Sequence, residues 1–299
     1  MQIILNADDF GRSTSINKAV MRAHHEGVLT SASLMVAGDA VDEAVALARE
    51  TPTLAVGLHV VVANGRSVLS TGDIPHLVDE DHHFLNDPIL FGLRCYLSRK
   101  TRVELGRELA AQFDRFASTG LPLSHVDGHL HLHLHPTVFN LLLPLAWQYG
   151  ARGIRVPRDD LWMALRHDRR RAATKFVWAV IFSLLCRWCL SCLQDHRLIV
   201  TDRVYGLMQT GRMREDYVIQ LLRHLSVPTA ELFFHPTMDA ENEALGPNTG
   251  DLATLLSPAL QQVIREQGIH LTTYPALHAE TQGLSAPLHP PTYTSHKVK

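Results

Sequence analysis

Polar and apolar side chains alternate along one stretch of the chain, residues 124–136, which reads SHVDGHLHLHLHP. In an extended strand successive side chains point to opposite faces, whereas a helix would scatter these residues around its axis. The stretch therefore predicts a strand with a polar face and an apolar face, ended by Pro136, which is tolerated in a first helical turn. The polar face consists of His125, Asp127, His129, His131, His133 and His135, and the apolar face of Val126, Leu130, Leu132 and Leu134.

The polar face of this strand is suited to binding a metal ion through a few of its side chains. Neighbouring positions on one face lie about 6.6–6.8 Å apart, and metal–ligand bonds are about 2.0–2.2 Å long. One ion can therefore engage one or two of these side chains, and other ligands must come from elsewhere. Two interpretations follow: an active site at the carboxyl end of the strand, or a surface run that binds metals adventitiously. The apolar opposite face and the inserted Asp127 favour the active site.

The composition restricts the class of protein. The chain has 299 residues, of which 46% are hydrophobic and 19% charged, and this suits either one large α/β domain or two smaller ones. The formal net charge of −2 gives no electrostatic reason to expect nucleic-acid binding. The N-terminal residues lack the basic segment and long apolar core of a signal peptide, so a cytoplasmic protein is predicted.

Three of the four cysteines are evenly spaced. Cys186, Cys189 and Cys192 form a C-x-x-C-x-x-C pattern, which can bind an iron–sulfur cluster. No fourth Cys-Pro follows, and the surrounding residues read as an apolar helix, so buried thiols are predicted instead. Free thiols suit a reducing compartment.

Two adjacent carboxylates follow the first predicted strand, residues 2–5. Asp8 and Asp9 diverge at the end of this strand, so one carboxylate can bind a metal ion while the other accepts a proton. Taken alone, the pair reads better as a turn that leads into a helix cap. Metal sites draw their ligands from several strand ends, however, and the histidine-rich strand makes the metal-binding interpretation more attractive.

Single polar residues mark three further strands. His59 interrupts an apolar strand that reads as buried on both faces. A lone histidine within a strand is more often a core residue. Here the Asp8-Asp9 strand end precedes it and the histidine-rich strand follows it, which favours a metal ligand. His235 directly follows the strand 229–234, where it is free to donate a proton. Arg155 ends the strand 153–157, where it either pairs with a site carboxylate or is solvated.

The segment 166–194 is unusually apolar for a surface helix. A basic cluster, His167–Arg171 with Lys175, precedes an apolar run from Phe176 to Leu190. The run is shorter than the roughly 20 residues that span a membrane. Its composition suits an interfacial helix or a wall that binds an amphiphile. The alternative is a barrel helix with one broad buried face, but the apolar arc is too wide for one face, which favours lipid or membrane contact.

Four motifs occur in order along the chain: NADDFG at residues 6–11, GLH at 57–59, HVDGHLH at 125–131 and FHP at 234–236. In these motifs the chain resembles the YdjC-like (ChbG-type) carbohydrate deacetylase family, from residue 2 to about residue 275. The resemblance implies an α/β fold, a modified (β/α) TIM-like barrel forming a single domain at residues 1–277, with an inserted apolar helix. Residues 278–299 are polar and are predicted to form a disordered tail.

The family's functional residues are carried over position by position. The resemblance implies one divalent metal ion held by Asp9, His59 and His129, with Asp8 as general base and His235 as general acid. It also implies that the side chains lining or bracing the site are Asp127, His131 and Arg155. Gly128 stands where the family usually has Ser. Imidazole ligands suit Zn²⁺ and carboxylate ligands suit Mg²⁺; the resemblance favours Mg²⁺.

A narrower resemblance concerns the inserted helix. Residues 166–193 and 204–207 are similar to the hopanoid-biosynthesis-associated deacetylases (HpnK). This implies removal of acetate from an N-acetylglucosaminyl hopanoid, a lipid-linked amino sugar, with peripheral contact at the inner face of the membrane. The alternatives are a soluble chito-oligosaccharide deacetylase acting on chitobiose, a phosphoesterase, or a non-catalytic metal-binding protein. A homo-oligomer is compatible with each of them.

Overall fold

The computed structural model describes residues 1–193, 198–239, 243 and 245–283. Strands and helices alternate through most of this length. The strands are β1 (Gln2–Phe10), β2 (Ser31–Leu34), β3 (Ala55–Val60), β4 (His125–Gly128), β5 (Gly153–Ile154), β6 (Arg203–Tyr205), β7 (Thr229–Phe234) and β8 (His270–Leu271). The helices are α1 (Thr14–His25), α2 (Val41–Glu50), α3 (Pro88–Leu97), α4 (Arg99–Ser118), α5 (Pro136–Gln148), α6 (Leu161–His167), α7 (Ala172–Cys192), α8 (Glu215–His224), α9 (Thr249–Leu255), α10 (Pro258–Glu266) and α11 (Tyr274–Thr281).

The strands form one parallel sheet that curves into a half-barrel. Their order is β5-β4-β3-β2-β1-β7-β6, and β8 pairs with the start of β1. The two edges of the sheet approach each other at Ile199, which forms an isolated parallel bridge with Gly153 of β5 shortly before β6 begins. Since the strands run in one direction, their carboxyl ends all lie at the same end of the half-barrel. This class of fold places its functional residues there.

Apolar patterning explains how the helices cover the sheet. β1 and β7 are buried almost throughout, as expected for strands covered on both faces. Helix α4 turns a stripe of apolar side chains toward the core, and Ser13 caps α1 by accepting a hydrogen bond from the amide of Ile16. The buried stripe of α4 includes Leu105, Leu109, Phe113 and Phe116.

The long histidine-rich strand predicted at residues 124–136 is wrong beyond Gly128. β4 covers only His125–Gly128, and residues His129–Leu134 form a 3₁₀ turn before α5 begins at Pro136. Within this turn Leu130 and His131 have left-handed backbone conformations, with φ of 54° and 55°. The side chains of the run therefore spread in several directions instead of sharing one face.

The last described helix, α11, crosses the predicted domain boundary at residue 277. Thr273 caps this helix, which packs Tyr274 and Leu277 into the core and continues to Thr281. The domain at residues 1–277 stays a prediction. Residues 284–299, most of the predicted disordered tail, lie outside the described residues, so their disorder stays a prediction.

Candidate metal centre

The site is built at the carboxyl end of β1, where two adjacent aspartates are buried. Asp9 has a left-handed backbone conformation with φ of 64°, which aspartate tolerates better than most residues because its short side chain can hydrogen-bond locally. Asp8 is 2% exposed and Asp9 is fully buried. The two carboxylates have different partners: Asp8 contacts Arg155, and Asp9 faces two histidines.

Three side chains from three strand ends converge on one point. Asp9 Oδ1 lies 3.2 Å from His129 Nδ1 and 3.5 Å from His59 Nε2. One ligand atom from each of the three residues lies within 4.8 Å of the others, and all three side chains are buried. A carboxylate and two imidazoles at this spacing can hold one divalent cation, with positions left open for water or substrate.

The hydrogen bonding of these residues fits a bound metal ion. Among the residues that the structure describes, Asp9 Oδ1 and His59 Nε2 are buried without a hydrogen-bond partner. Leaving such a group unsatisfied costs about 1–3 kcal/mol. The other ring nitrogen, His59 Nδ1, lies 2.8 Å from Asp127 Oδ1, an arrangement that fixes the ring and directs Nε2 toward a metal.

A second group of possible ligands is less suitable. Asp8, His59 and Asp127 also lie within reach of a common point. The two carboxylates of this group already form ion pairs with Arg155. Its Nη1 atom lies 2.7 Å from Asp8 Oδ2 and 2.8 Å from Asp127 Oδ2. A cation placed there would face this positive charge, so the Asp9 group is the better candidate.

Arg155 organises the floor of the site. Its side chain is fully buried and also contacts Glu231 Oε1 at 2.7 Å, while the Tyr274 hydroxyl donates to Glu231 Oε2 at 2.6 Å. Of the two predictions for Arg155, pairing with a site carboxylate is confirmed, and a solvated guanidinium is wrong. The chain Asp8–Arg155–Glu231–Tyr274 links the end of β1 to helix α11.

The charges of the site shift several pKa values. Burial opposes protonation of the His59 imidazole, but the carboxylates of Asp127, Asp8 and Asp9 together outweigh it and raise the pKa of His59 to about 9. Burial acts to raise the pKa of Asp9, but His129 and the other nearby imidazoles hold it well below its usual range. Burial lowers the pKa of His133 to about 4, so this ring is neutral. The same negative potential that raises the pKa of His59 favours a divalent cation.

His235 completes the group at the end of β7. Its backbone amide donates to Asp251 Oδ2 at 2.9 Å, which fixes the turn after the strand. The ring nitrogen Nε2 lies 3.8 Å from Asp8 Oδ2. The structure therefore brings together the residues predicted as base and acid, Asp8 and His235, beside the three predicted metal ligands.

Comparison with known proteins identifies the family. The YdjC-like protein family matches residues 2–266 of the chain. The chain belongs to the YdjC-like family. A carbohydrate deacetylase from Brevibacillus brevis is 32% identical over 287 residues, which cover 93% of this chain and 100% of the relative. A carbohydrate deacetylase from Vibrio campbellii is 36% identical over 285 residues, which cover 93% of this chain and 96% of the relative. The predictions of the family and of a deacetylase enzyme are confirmed.

A solved structure supports the fold. The crystal structure of an Enterococcus faecalis protein named for cellobiose-phosphate cleavage superposes with a TM-score of 0.71, covering 92% of this chain and 98% of that chain at 24% identity. At this identity the likeness concerns the fold alone. It confirms the predicted modified TIM-like barrel.

The remaining histidines of the run in this YdjC-like protein have other partners. His131 packs against Phe233 and Phe182, with ring centroids 5.1 and 5.8 Å away. His133 Nε2 lies 2.9 Å from the carbonyl oxygen of Arg155. A Cβ atom at Gly128 would lie 3.0 Å from His133 Cβ, so the glycine makes room for this histidine.

Some residues of the site were missed in the sequence. Glu231 carried a usable signal, because it is the one charged residue in the strand 229–234. Ser33 donates a hydrogen bond to Asp127 Oδ2 at 2.8 Å, and Asn6 donates to Asp8 Oδ1 at 2.8 Å. Arg12 Nη1 lies 3.2 Å from Asp9 Oδ2. Short polar residues such as Ser33 have no distinguishing pattern within a strand.

Proposed function

We propose that this YdjC-like protein is a metal-dependent hydrolase that removes the N-acetyl group from an amino sugar. The observation that carries the proposal is the convergence of Asp9, His59 and His129, two of them with unpaired buried ligand atoms, beside the Asp8–His235 pair. The curated relatives named carbohydrate deacetylase support the reaction class. A non-catalytic protein that stores metal ions would have no need for the Asp8–His235 pair.

The metal ion would be held by Asp9, His59 and His129. When bound, it lowers the pKa of a water molecule and polarises the carbonyl of the acetamide group. Magnesium remains the proposed ion on family grounds, with zinc as the alternative that imidazole ligands favour. A phosphoesterase would call for a second metal and more carboxylate ligands than the Asp9 group supplies.

The proton transfers are assigned to Asp8 and His235. Asp8 accepts the proton of the attacking water, and Arg155 holds its carboxylate in place with hydrogen bonds of 2.7 and 2.8 Å. His235, in its protonated form, donates a proton to the leaving amine. Asp127 keeps the His59 ring in the tautomer and orientation that a metal ligand needs. His131 lines the site from the 3₁₀ turn.

The substrate is proposed to be lipid-linked, an N-acetylglucosaminyl hopanoid converted to a glucosaminyl hopanoid in the cytoplasm. Helix α7 supports this, because Phe182 on its buried side contacts His131 while neighbouring apolar residues of the helix are exposed. An apolar wall next to the site suits a triterpenoid tail. A soluble deacetylase acting on chitobiose is the second candidate, because the curated relatives are named for a carbohydrate and not for a lipid-linked substrate.

The experiment is an acetate-release assay with N-acetylglucosaminyl hopanoid and chitobiose as parallel substrates. We expect release from the hopanoid that EDTA abolishes and that added Mg²⁺ restores, with Zn²⁺ tested alongside. Release from chitobiose alone would retain the deacetylase and exclude the lipid-linked substrate. Release from neither substrate, with either metal, would contradict the proposed function.

A further inference from the structure

Helix α7 exposes a large apolar face. Among the described helices it is the one long and apolar enough to cross a membrane by length and composition. Five apolar residues spaced along one stripe are each about half exposed or more. They are Phe176 (57%), Val177 (52%), Val180 (48%), Ile181 (48%) and Leu184 (62%), and we refer to them as the apolar stripe. A soluble monomer rarely leaves such a contiguous stripe uncovered without a binding role.

The opposite face of α7 belongs to the folded domain. Cys186 and Cys189 are buried, with their thiols directed at backbone carbonyls of the barrel, and Phe182 packs against His131. A helix that crossed a bilayer would have to leave these contacts. The polar residues Ser183 and Arg187 also interrupt the apolar surface. The helix therefore fits a position parallel to a membrane surface, with only the apolar stripe inserted.

The amino-terminal end of α7 is strongly basic. Residues 166–175 contain five Arg or Lys residues and one acidic residue, in a chain whose net charge is −2. Arg170, Arg171, Lys175 and Arg212 line a small surface cleft together with Trp178 and the carboxylate of Asp168. Arg171 lies immediately before the helix, and the amino-terminal end of a helix dipole also attracts anions.

We propose that α7 docks the protein on an anionic lipid bilayer. The apolar stripe enters the boundary between headgroups and acyl chains, and the basic end binds the phosphate groups of anionic lipids. The two features occur on one helix, and charge complementarity selects a negatively charged membrane over a neutral one. Because the inner side of the same helix contacts His131, docking would place the candidate metal centre close to the membrane surface.

The docking inference does not depend on catalysis and can be tested without a substrate. The full chain is mixed with sucrose-loaded vesicles of phosphatidylcholine, either alone or with about one third phosphatidylglycerol, and the bound fraction is measured by sedimentation. We expect binding to the anionic vesicles at least tenfold stronger than to the neutral ones. The double variant R169E/R170E should weaken it at least twentyfold, about fivefold for each basic residue removed.

Matched variants distinguish binding through the apolar stripe from non-specific hydrophobic binding to the vesicles. Val180→Asn with Leu184→Asn should weaken vesicle binding about tenfold. The control Ile89→Asn with Leu97→Asn alters two apolar residues on α3 that are more exposed than Val180 and Leu184. The control K18E/R265E makes the same change in charge on α1 and α10. We expect both controls to bind like the unmodified protein. Thermal unfolding midpoints should stay within about 2 °C in all variants, because exposed substitutions change stability little.

Three results would overturn the inference. The first is equal binding to neutral and anionic vesicles, and the second is an equal loss of binding in the α3 control. The third is a dimer in solution, seen by light scattering without vesicles, that the Val180→Asn and Leu184→Asn substitutions dissociate. That result would assign the apolar stripe to a second copy of the chain. None of these outcomes bears on whether the site releases acetate.

Discussion

Backbone conformation at single residues decides the geometry of the candidate metal centre. Asp9, Leu130 and His131 all have left-handed φ values, between 54° and 64°. This conformation costs roughly 1–2 kcal/mol for a residue with a side chain, and such strain concentrates at functional sites. It turns the chain after His129, so that this histidine faces Asp9 while His131 packs among aromatic rings. Side-chain alternation could not reveal this turn, because periodicity assumes a regular strand.

Asp8 and Asp127 both pair with Arg155, but we expect their substitution to affect different properties, catalysis for Asp8 and metal binding for Asp127. Asp8→Asn leaves the three ligands intact but removes the proposed proton acceptor, so we expect kcat to fall by about 10²–10⁴-fold while metal affinity stays within about threefold. Asp127→Asn disturbs the orientation of His59 and should weaken metal binding about 10–100-fold. Calorimetric titration with the metal and acetate-release kinetics measure the two effects.

The comparison has an internal control because both substitutions are isosteric and both remove one carboxylate from the same guanidinium. A general disturbance of Arg155 would therefore affect the two variants alike. Equal losses of metal affinity in Asp8→Asn and Asp127→Asn would contradict the assigned roles.

The buried pair of Arg155 and Glu231 is expected to be a large contribution to stability. Glu231→Ala removes a fully buried carboxylate and leaves part of the guanidinium without a partner, so the free energy of unfolding should fall by about 3–5 kcal/mol. Tyr274→Phe deletes one hydrogen bond to the same carboxylate and should cost about 1–2 kcal/mol. Urea denaturation measures both. If Glu231→Ala lowers the free energy of unfolding less than Tyr274→Phe does, the large contribution assigned to the ion pair is contradicted.

At the level of elements, the sequence predicted the strands better than the connections. The end of β7 was located because its apolar run stops at His235. β1 instead continues to Phe10, past the predicted end at residue 5, and His59 lies within β3, one residue before its end. Residues 64–99 have no clear apolar period and therefore read as an irregular loop, but α3 forms there at Pro88–Leu97. Residues 251–267 read as one helix, but they lie in two, α9 and α10, separated at Ser257, which caps α10 before Pro258. Local capping chemistry outweighed the apolar spacing there.

The pairing of β3 with β4 depends on a glycine. His125 stacks on Tyr274 with ring centroids 4.9 Å apart, and its ring covers Gly57 of β3. A Cβ atom at Gly57 would lie 2.4 Å from this ring. We therefore expect Gly57→Ala to lower the free energy of unfolding by about 1–3 kcal/mol through overpacking, measured by urea denaturation.

Gly106 provides the matched control for this substitution. It lies within α4, where a new Cβ atom would meet only one side-chain atom, at 3.8 Å. Gly106→Ala should therefore stabilise the protein by about 0.5–1 kcal/mol, the usual preference for alanine in a helix. Destabilisation of similar size in both variants would argue against the specific clash with His125.

On the scale of the whole molecule, the parallel sheet explains why motifs far apart in sequence form one site. All the strands present their carboxyl ends at one edge, so residues 9, 59, 129 and 235 meet although more than 220 positions separate the first from the last. The sequence predicts that these residues lie at or near strand ends and share one site. It could not predict the charge balance, in which the buried carboxyl groups of Asp8, Asp127 and Glu231 surround the buried guanidinium of Arg155, while that of Asp9 faces His59 and His129.

We expect this excess of buried negative charge to make the stability of the fold depend on a bound cation. A metal ion that binds the folded chain at 100 times its dissociation constant should stabilise it by about 2.7 kcal/mol. For a domain of this size each kcal/mol raises the unfolding midpoint by about 2–4 °C, so we expect a rise of roughly 5–10 °C over EDTA-treated protein, measured by calorimetry. The measurement requires no substrate and therefore tests the metal centre separately from the reaction.

Two histidine variants determine whether this shift comes from the proposed ligands. His129→Ala removes a ligand and should abolish the metal-dependent rise. His135→Ala changes a histidine of the same run that lies outside the Asp9 group, so its rise should equal that of the unmodified protein. Storage of metal along the histidine-rich run predicts equal losses in the two variants, because each would remove one of several similar ligands. A rise that survives in His129→Ala would place the metal elsewhere in the chain and would contradict the proposed centre.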